Sequence, residues 1–348
     1  MGKPWWHRWF ARQPVAPRTL PAERIPMVWR DTPTSPMPDW EALRAAAPTT
    51  AEPAAIDAYW TSVGAQWLDR LSASLGDDLV RHESPDFLLL ASLADRPARA
   101  AMSFLEATRR RILRLLDGIA APNGHGPMIV IMLDDARYLD FVAQFYPEQG
   151  TFSESSGMFV HFGYGFFVAR GEHLDEVEHT LVHEMTHGLV SHLPLPAWLN
   201  EGIAVNTEAR HAGARFSLPD APWSPEETQA RHRAHWTPEA IQRFWSGKSF
   251  IDPGVAQPLS YDLAMRMVQL ACVDWVPFAR FAVNASMDDS GMAAAETHLG
   301  HPIENLATAL LGDGAWTPDP KTWADGVEVG RFRHPRTGVG VRFHPPVL

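Results

Sequence analysis

The chain has 348 residues, 45% of them hydrophobic and 20% charged, enough apolar material for one large domain or two modest ones. A formal net charge of −11 argues against a nucleic-acid partner, which would need a basic face against phosphate. Cys272 is the only cysteine, no secretory apolar stretch opens the chain, and no apolar run is long enough to span a bilayer. A cytoplasmic protein without an integral membrane segment is therefore expected.

Residues 1–54, rich in Pro, Arg, Ala and Thr, read as an extended N-terminal arm partly ordered by its tryptophans. Basic groups and Trp5, Trp6, Trp9 and Phe10 mingle at its start, a mixture suited to an anionic surface or a partner. Prolines at 4, 14, 17, 21 and 26 forbid a long amphipathic helix there, so a loosely packed tail is the simpler expectation. The main domain is expected over 55–315. Ile56, Trp60, Val63, Trp67, Leu71 and Leu75 recur at helical spacing. Residues 86–93 and 127–133 are compact apolar runs that suit strands, with helices over 98–118 and 136–145. Gly157–Ala169, aromatic and punctuated by glycine, reads as a strand that something approaches closely and to which an extended peptide could add. Helices follow over 174–192, closed by Leu-Pro-Leu-Pro, and over 197–209, 225–245, 259–273, 292–299 and 302–311. Residues 316–348, rich in Pro, Gly and Arg, form an extension with a short hairpin at most. Strands first and helices after predict an α+β fold.

His183-Glu184-Met185-Thr186-His187 is the string that carries chemistry. On a helix, positions i and i+4 lie about 40° apart, so both imidazoles can face one ion, with Glu184 placed to hold a water beside it. Leu181, Val182, Met185, Leu189 and Val190 make the helix a buried one, where histidines and a glutamate are costly unless paired or bound to metal. A catalytic zinc site takes three protein ligands and keeps one position open. No H-E-x-x-H-x-x-G-x-x-H continuation follows. Instead Glu201 follows with 13 residues between it and His187, and a helix–loop–helix closed by proline would return its carboxylate to the first helix.

Trp198-Leu199-Asn200-Glu201-Gly202-Ile203-Ala204 resembles the second motif of gluzincin peptidases, the group of thermolysin and aminopeptidase N, and the nearer likeness is to the bacterial peptidase-MA-like proteins. Ala293–Gly300 with Ile303–Leu306 is similar to their closing helical segment. The likeness spans about residues 80–312, specific at 183–187 and 198–204 and loose elsewhere. It implies a zincin-like fold: a small N-terminal sheet, an active-site helix and a mainly helical C-terminal part. It also implies Zn²⁺ on His183, His187 and Glu201, Glu184 as general base, and a peptide or protein substrate. The Gly-x-Met-Glu-Asn motif that grips a free amino terminus is missing, which points to an endopeptidase rather than an aminopeptidase.

Tyr261, opening a helix about where these families carry an oxyanion donor, is the candidate for that role, equally readable as a packed tyrosine. Glu208 shares a helix face with Glu201 and could orient a ligand histidine, although a solvated residue is the simpler reading; His179 invites the same two readings. Cys272 reads as core. Two further functions fit the same residues: a catalytically idle zinc protein whose arm binds a partner, and a zinc hydrolase of non-peptide amides or esters.

Overall fold

The structure is a computed structural model that describes residues 25–30, 32, 35–48, 51–122, 124–145, 156–161, 164–212, 223–252, 254–323, 332–333 and 340–343. Trp5, Trp6, Trp9 and Phe10 lie outside these residues.

Two strands of two residues, β1 (Trp29–Arg30) and β2 (Met37–Pro38), pair before the short helix α1 (Trp40–Ala46) and the long helix α2 (Pro53–Leu75). Then come β3 (Val80–Glu83), β4 (Phe87–Ala91), α3 (Asp95–Leu115), β5 (Met128–Leu133) and α4 (Asp135–Ala143). The hairpin β6 (Gly157–His161) and β7 (Gly165–Arg170) leads into α5 (Leu174–Val190) and α6 (Ala197–Ala212). The rest is helical through α7 (Pro225–His235), α8 (Ala240–Trp245), α9 (Ala256–Ala271), α10 (Trp275–Asn284), α11 (Met292–His298) and α12 (Glu304–Leu311). The last strands are β8 (Phe332–Arg333) and β9 (Gly340–Phe343).

The molecule is thus mixed α and β, mostly helical, around one sheet ordered β3-β4-β5-β7-β6-β9-β8. β4, β5 and β7 are parallel; β3, β6 and β9 each run antiparallel to their neighbours. The parallel trio is joined through helices, so βαβ connections sit inside a fold that the order of elements reads as plain α+β. Its strands are apolar and buried throughout except at the two ends of β7, Gly165 and Arg170, because both faces are covered. Phe87, Leu89, Met128, Val130 and Phe167 pack on one side with α3 and α5. Leu88, Leu90, Ile129, Ile131 and Phe166 pack on the other with α1, α2 and α4.

Two readings change. The stretch 157–169 is a hairpin and not one strand, because Gly165 restarts a strand that pairs back on β6 from His161↔Gly165 to Gly157↔Ala169. The helix expected over 225–245 divides, since Trp236 leaves the helical conformation (ψ 114°) and α8 begins afresh at Ala240. Within the arm, Trp40 of α1 is completely buried against Trp67 and Tyr164. The strand β3 (Val-Arg-His-Glu) carries too few apolar residues in period to announce itself, whereas α10, with Phe278, Phe281 and Ala282 buried at i, i+3 and i+4, lies outside the expected elements although its period is helical. No helix among the described residues is long and apolar enough to cross a membrane.

Candidate metal centre

α5 begins where the Glu176 carboxylate accepts from the backbone N–H groups of Glu172 and His173, and ends as Ser191 leads to Pro194 and Pro196. Its apolar stripe (Val177, Leu181, Val182, Met185, Leu189) packs on the sheet, while His183 and His187 face α6 and Glu184 lies against β6, all three buried. The Pro196 carbonyl accepts from Leu199 and Asn200, which starts α6 so that Asn200 and Glu201 face back to α5.

Three atoms converge. His183 Nε2 lies 3.3 Å and His187 Nε2 3.4 Å from Glu201 Oε2, and the two Nε2 atoms are 2.9 Å apart. A triangle of this size has its centre roughly 1.9 Å from each corner, just inside the 2.0–2.2 Å at which zinc takes nitrogen or oxygen. The three atoms could hold one metal ion between them, and among the described residues this is the one His/Cys/Asp/Glu cluster of that kind.

Each imidazole is held from behind. His187 Nδ1–H donates to Asn200 Oδ1 at 3.1 Å, and His183 Nδ1 meets the Glu208 carboxylate at 3.4 Å. These contacts aim the Nε2 lone pairs at the shared point. Asn200 was not singled out in the sequence although it stands beside Glu201; its amide oxygen needs a buried donor, which only the folded pair of helices supplies. Glu208, two turns along α6, is buried and not the solvated residue of the simpler reading, and it also lies 3.7 Å from the half-exposed His179.

The electrostatics call for a cation. Burial alone would push His183 below its usual range, but hydrogen bonds to Glu201 and Glu208 and the charges of Glu201 and Glu184 raise it to about 10. Burial opposes ionisation of Glu201, yet the two histidines hold its carboxyl down at about 2. Three carboxylates therefore favour positive charge at the Nε2 corner. Glu201 Oε1 and both Glu184 oxygens are buried without a hydrogen bond among the described residues, the state of groups shaped for an ion and its partner molecule. Burial raises the Glu184 pKa, against the two nearby histidines. The Phe159 N–H of β6 lies close enough to favour its charged form without reaching hydrogen-bond geometry.

Two close approaches make this possible. A Cβ on Gly157 would stand 2.2 Å from Thr180 Cγ2 and 3.6 Å from Glu184 Cγ, so only glycine lets β6 run beside α5 here. A Cβ on Gly202 would meet the Ala264 carbonyl oxygen and Val268 Cγ2 at 2.6 Å each, so α6 lies directly on α9. α9 brings Tyr261 in: its phenol is buried, raised in pKa by that burial and by the charges of Glu201, Glu184 and Glu208, and its ring meets Phe250 edge-on. Cys272 follows the last residue of α9, half-buried, with its thiol pushed up by burial. Strand addition is not open along all of β6, because β9 pairs with it at Val160↔Phe343 and His161↔Arg342.

The sequence matches no protein-family model and no curated protein. Function rests on the site alone.

Proposed function

We propose that the protein is a zinc-dependent hydrolase of the gluzincin kind, acting on peptide bonds within a chain. The convergence of His183 Nε2, His187 Nε2 and Glu201 Oε2 beside the unbonded, buried Glu184 carboxylate supports this best. A structural zinc is closed by four protein ligands as a rule, whereas three ligands with an acid alongside leave room for a reactant.

A bound zinc ion would polarise a carbonyl and acidify a water molecule. Glu184, buried beside the three ligands, would take the water's proton and return it to the departing nitrogen. Tyr261, buried near these acids with its phenol pushed up in pKa, is the candidate oxyanion donor. Asn200 and Glu208 hold the two imidazoles in place.

The test is zinc content by mass spectrometry with a panel of peptides and non-peptide amides or esters. One zinc per chain is expected, lost in His187→Ala. Glu184→Gln should keep the zinc and lower turnover by about 10²-fold or more. No zinc after reconstitution removes the proposal. Zinc without turnover on any substrate favours an interaction protein, and turnover of esters alone moves the substrate class.

A further inference from the structure

α9 turns one stripe towards α6. Gly202 of α6 lies against Ala264 and Val268, and the Met265 carbonyl accepts from Asn206. One turn before Ala264 the stripe carries Tyr261, on which the charges of Glu201, Glu184 and Glu208 act, so this level of α9 borders the metal centre. One turn earlier again, a step of about 6 Å, stands Gln257, the second residue of the helix.

Gln257 is 6% exposed, yet its side chain makes no hydrogen bond to any described residue. Its buried polar neighbours on α9 are served: Ser260 Oγ bonds to Ser249 Oγ, and the Asp262 carboxylate meets His232 Nε2 and Arg266 Nε. A buried amide without partners costs free energy that an apolar side chain of like size does not, so packing alone gives no account of it. The amide carries one acceptor and two donors and no charge, the complement of a peptide group's N–H and C=O. Two residues of an extended chain span about 6.6 Å, close to the step from Tyr261 to Gln257. Resting on the hydrolase reading, we propose that the Gln257 amide grips a main-chain peptide group of the substrate about two residues from the bond cleaved. A lone amide or ester has no such second group, so Gln257 selects for chains.

The experiment is NMR of the full chain, supplied with zinc and carrying nitrogen-15 glutamine. The Gln257 side-chain signal is the one lost in Gln257→Glu. N-acetyl-tetraalanine amide and N-methylacetamide are titrated in turn. A saturable shift of that signal is expected with the tetraalanine peptide and none with N-methylacetamide. No shift with either probe, or the same shift with both, overturns the proposal. Gln257→Met, of like length, should keep its Tm; a markedly lowered Tm shows the amide bonded within the fold and overturns the proposal too. On denatured casein Gln257→Met should lower kcat/KM at least tenfold, through KM, while turnover of N-acetylalanine methyl ester stays as in the wild type. Equal loss on both substrates is the mark of a structural residue and counts against the proposal. The shift needs no turnover. A shift in a chain without zinc or activity defeats the hydrolase reading alone, and casein cleavage without a shift defeats the role of Gln257 alone.

Discussion

Glu208 shows how far a single side chain depends on what it meets. Seven residues beyond Glu201 it belongs to the same helix face, but a helix face is as often wet as buried. It acquires its part when α5 stands opposite and His183 Nδ1 comes to 3.4 Å. A carboxylate behind a ligand imidazole fixes the ring and raises its basicity, and losing one usually weakens metal binding 10–100-fold. Glu208→Ala should therefore weaken zinc binding by about that factor in competition with a chelator, with the helical circular dichroism kept. An unchanged affinity would return Glu208 to the structure of α6. The pair Asn200–His187 follows the same logic, with a neutral amide in place of the acid.

Between elements, the contact of α6 with α9 sets the site's shape. Gly202 is the contact point, and Asn206 reinforces it by donating to the Met265 carbonyl at 2.9 Å and to its own helix at Gly202. A methyl group at 202 must displace the backbone of α9, since the Ala264 oxygen would stand 2.6 Å away. Gly202→Ala is expected to cost about 1–3 kcal/mol in urea unfolding. It should also weaken zinc binding, because Glu201 and Asn200 ride on the helix that moves. A stable variant with full metal affinity would show that the helices shift apart without strain. Gly202 is visible in the motif string, but its reason is not, as α9 begins more than fifty residues later in the chain.

For the whole molecule, the N-terminal segment is where tertiary contact matters most. A Pro-rich stretch without period reads as an extended arm partly ordered by its tryptophans, and its first 24 residues lie outside the described ones. Trp40 is wholly buried between Trp67 and Tyr164, and Trp67 Nε1 donates to the Pro36 carbonyl at 2.9 Å. Residues 36–43 thus close the sheet face opposite α5. Trp40→Ala should cost about 3–5 kcal/mol of unfolding free energy, the range for an aromatic lost from a core. A cost below about 1 kcal/mol would mean that the segment lies on the surface as an arm does.

The residues of the centre were legible in the sequence because the metal motif is local: the i, i+4 spacing puts His183 and His187 on one side of a helix whatever surrounds it. The buried strands 87–91 and 128–133 and the long helices were legible too, since continuous apolar runs and a period near 3.6 are local signals. The hairpin at 157–170, the break after His235 and the buried place of Trp40 were not. Each depends on which distant surface the segment meets, and period alone does not carry that information. The same holds for Asn200 and Glu208 behind the imidazoles and for Gly202 against α9. They lie on elements far apart in the chain, and only tertiary packing brings their atoms to hydrogen-bonding or van der Waals distance.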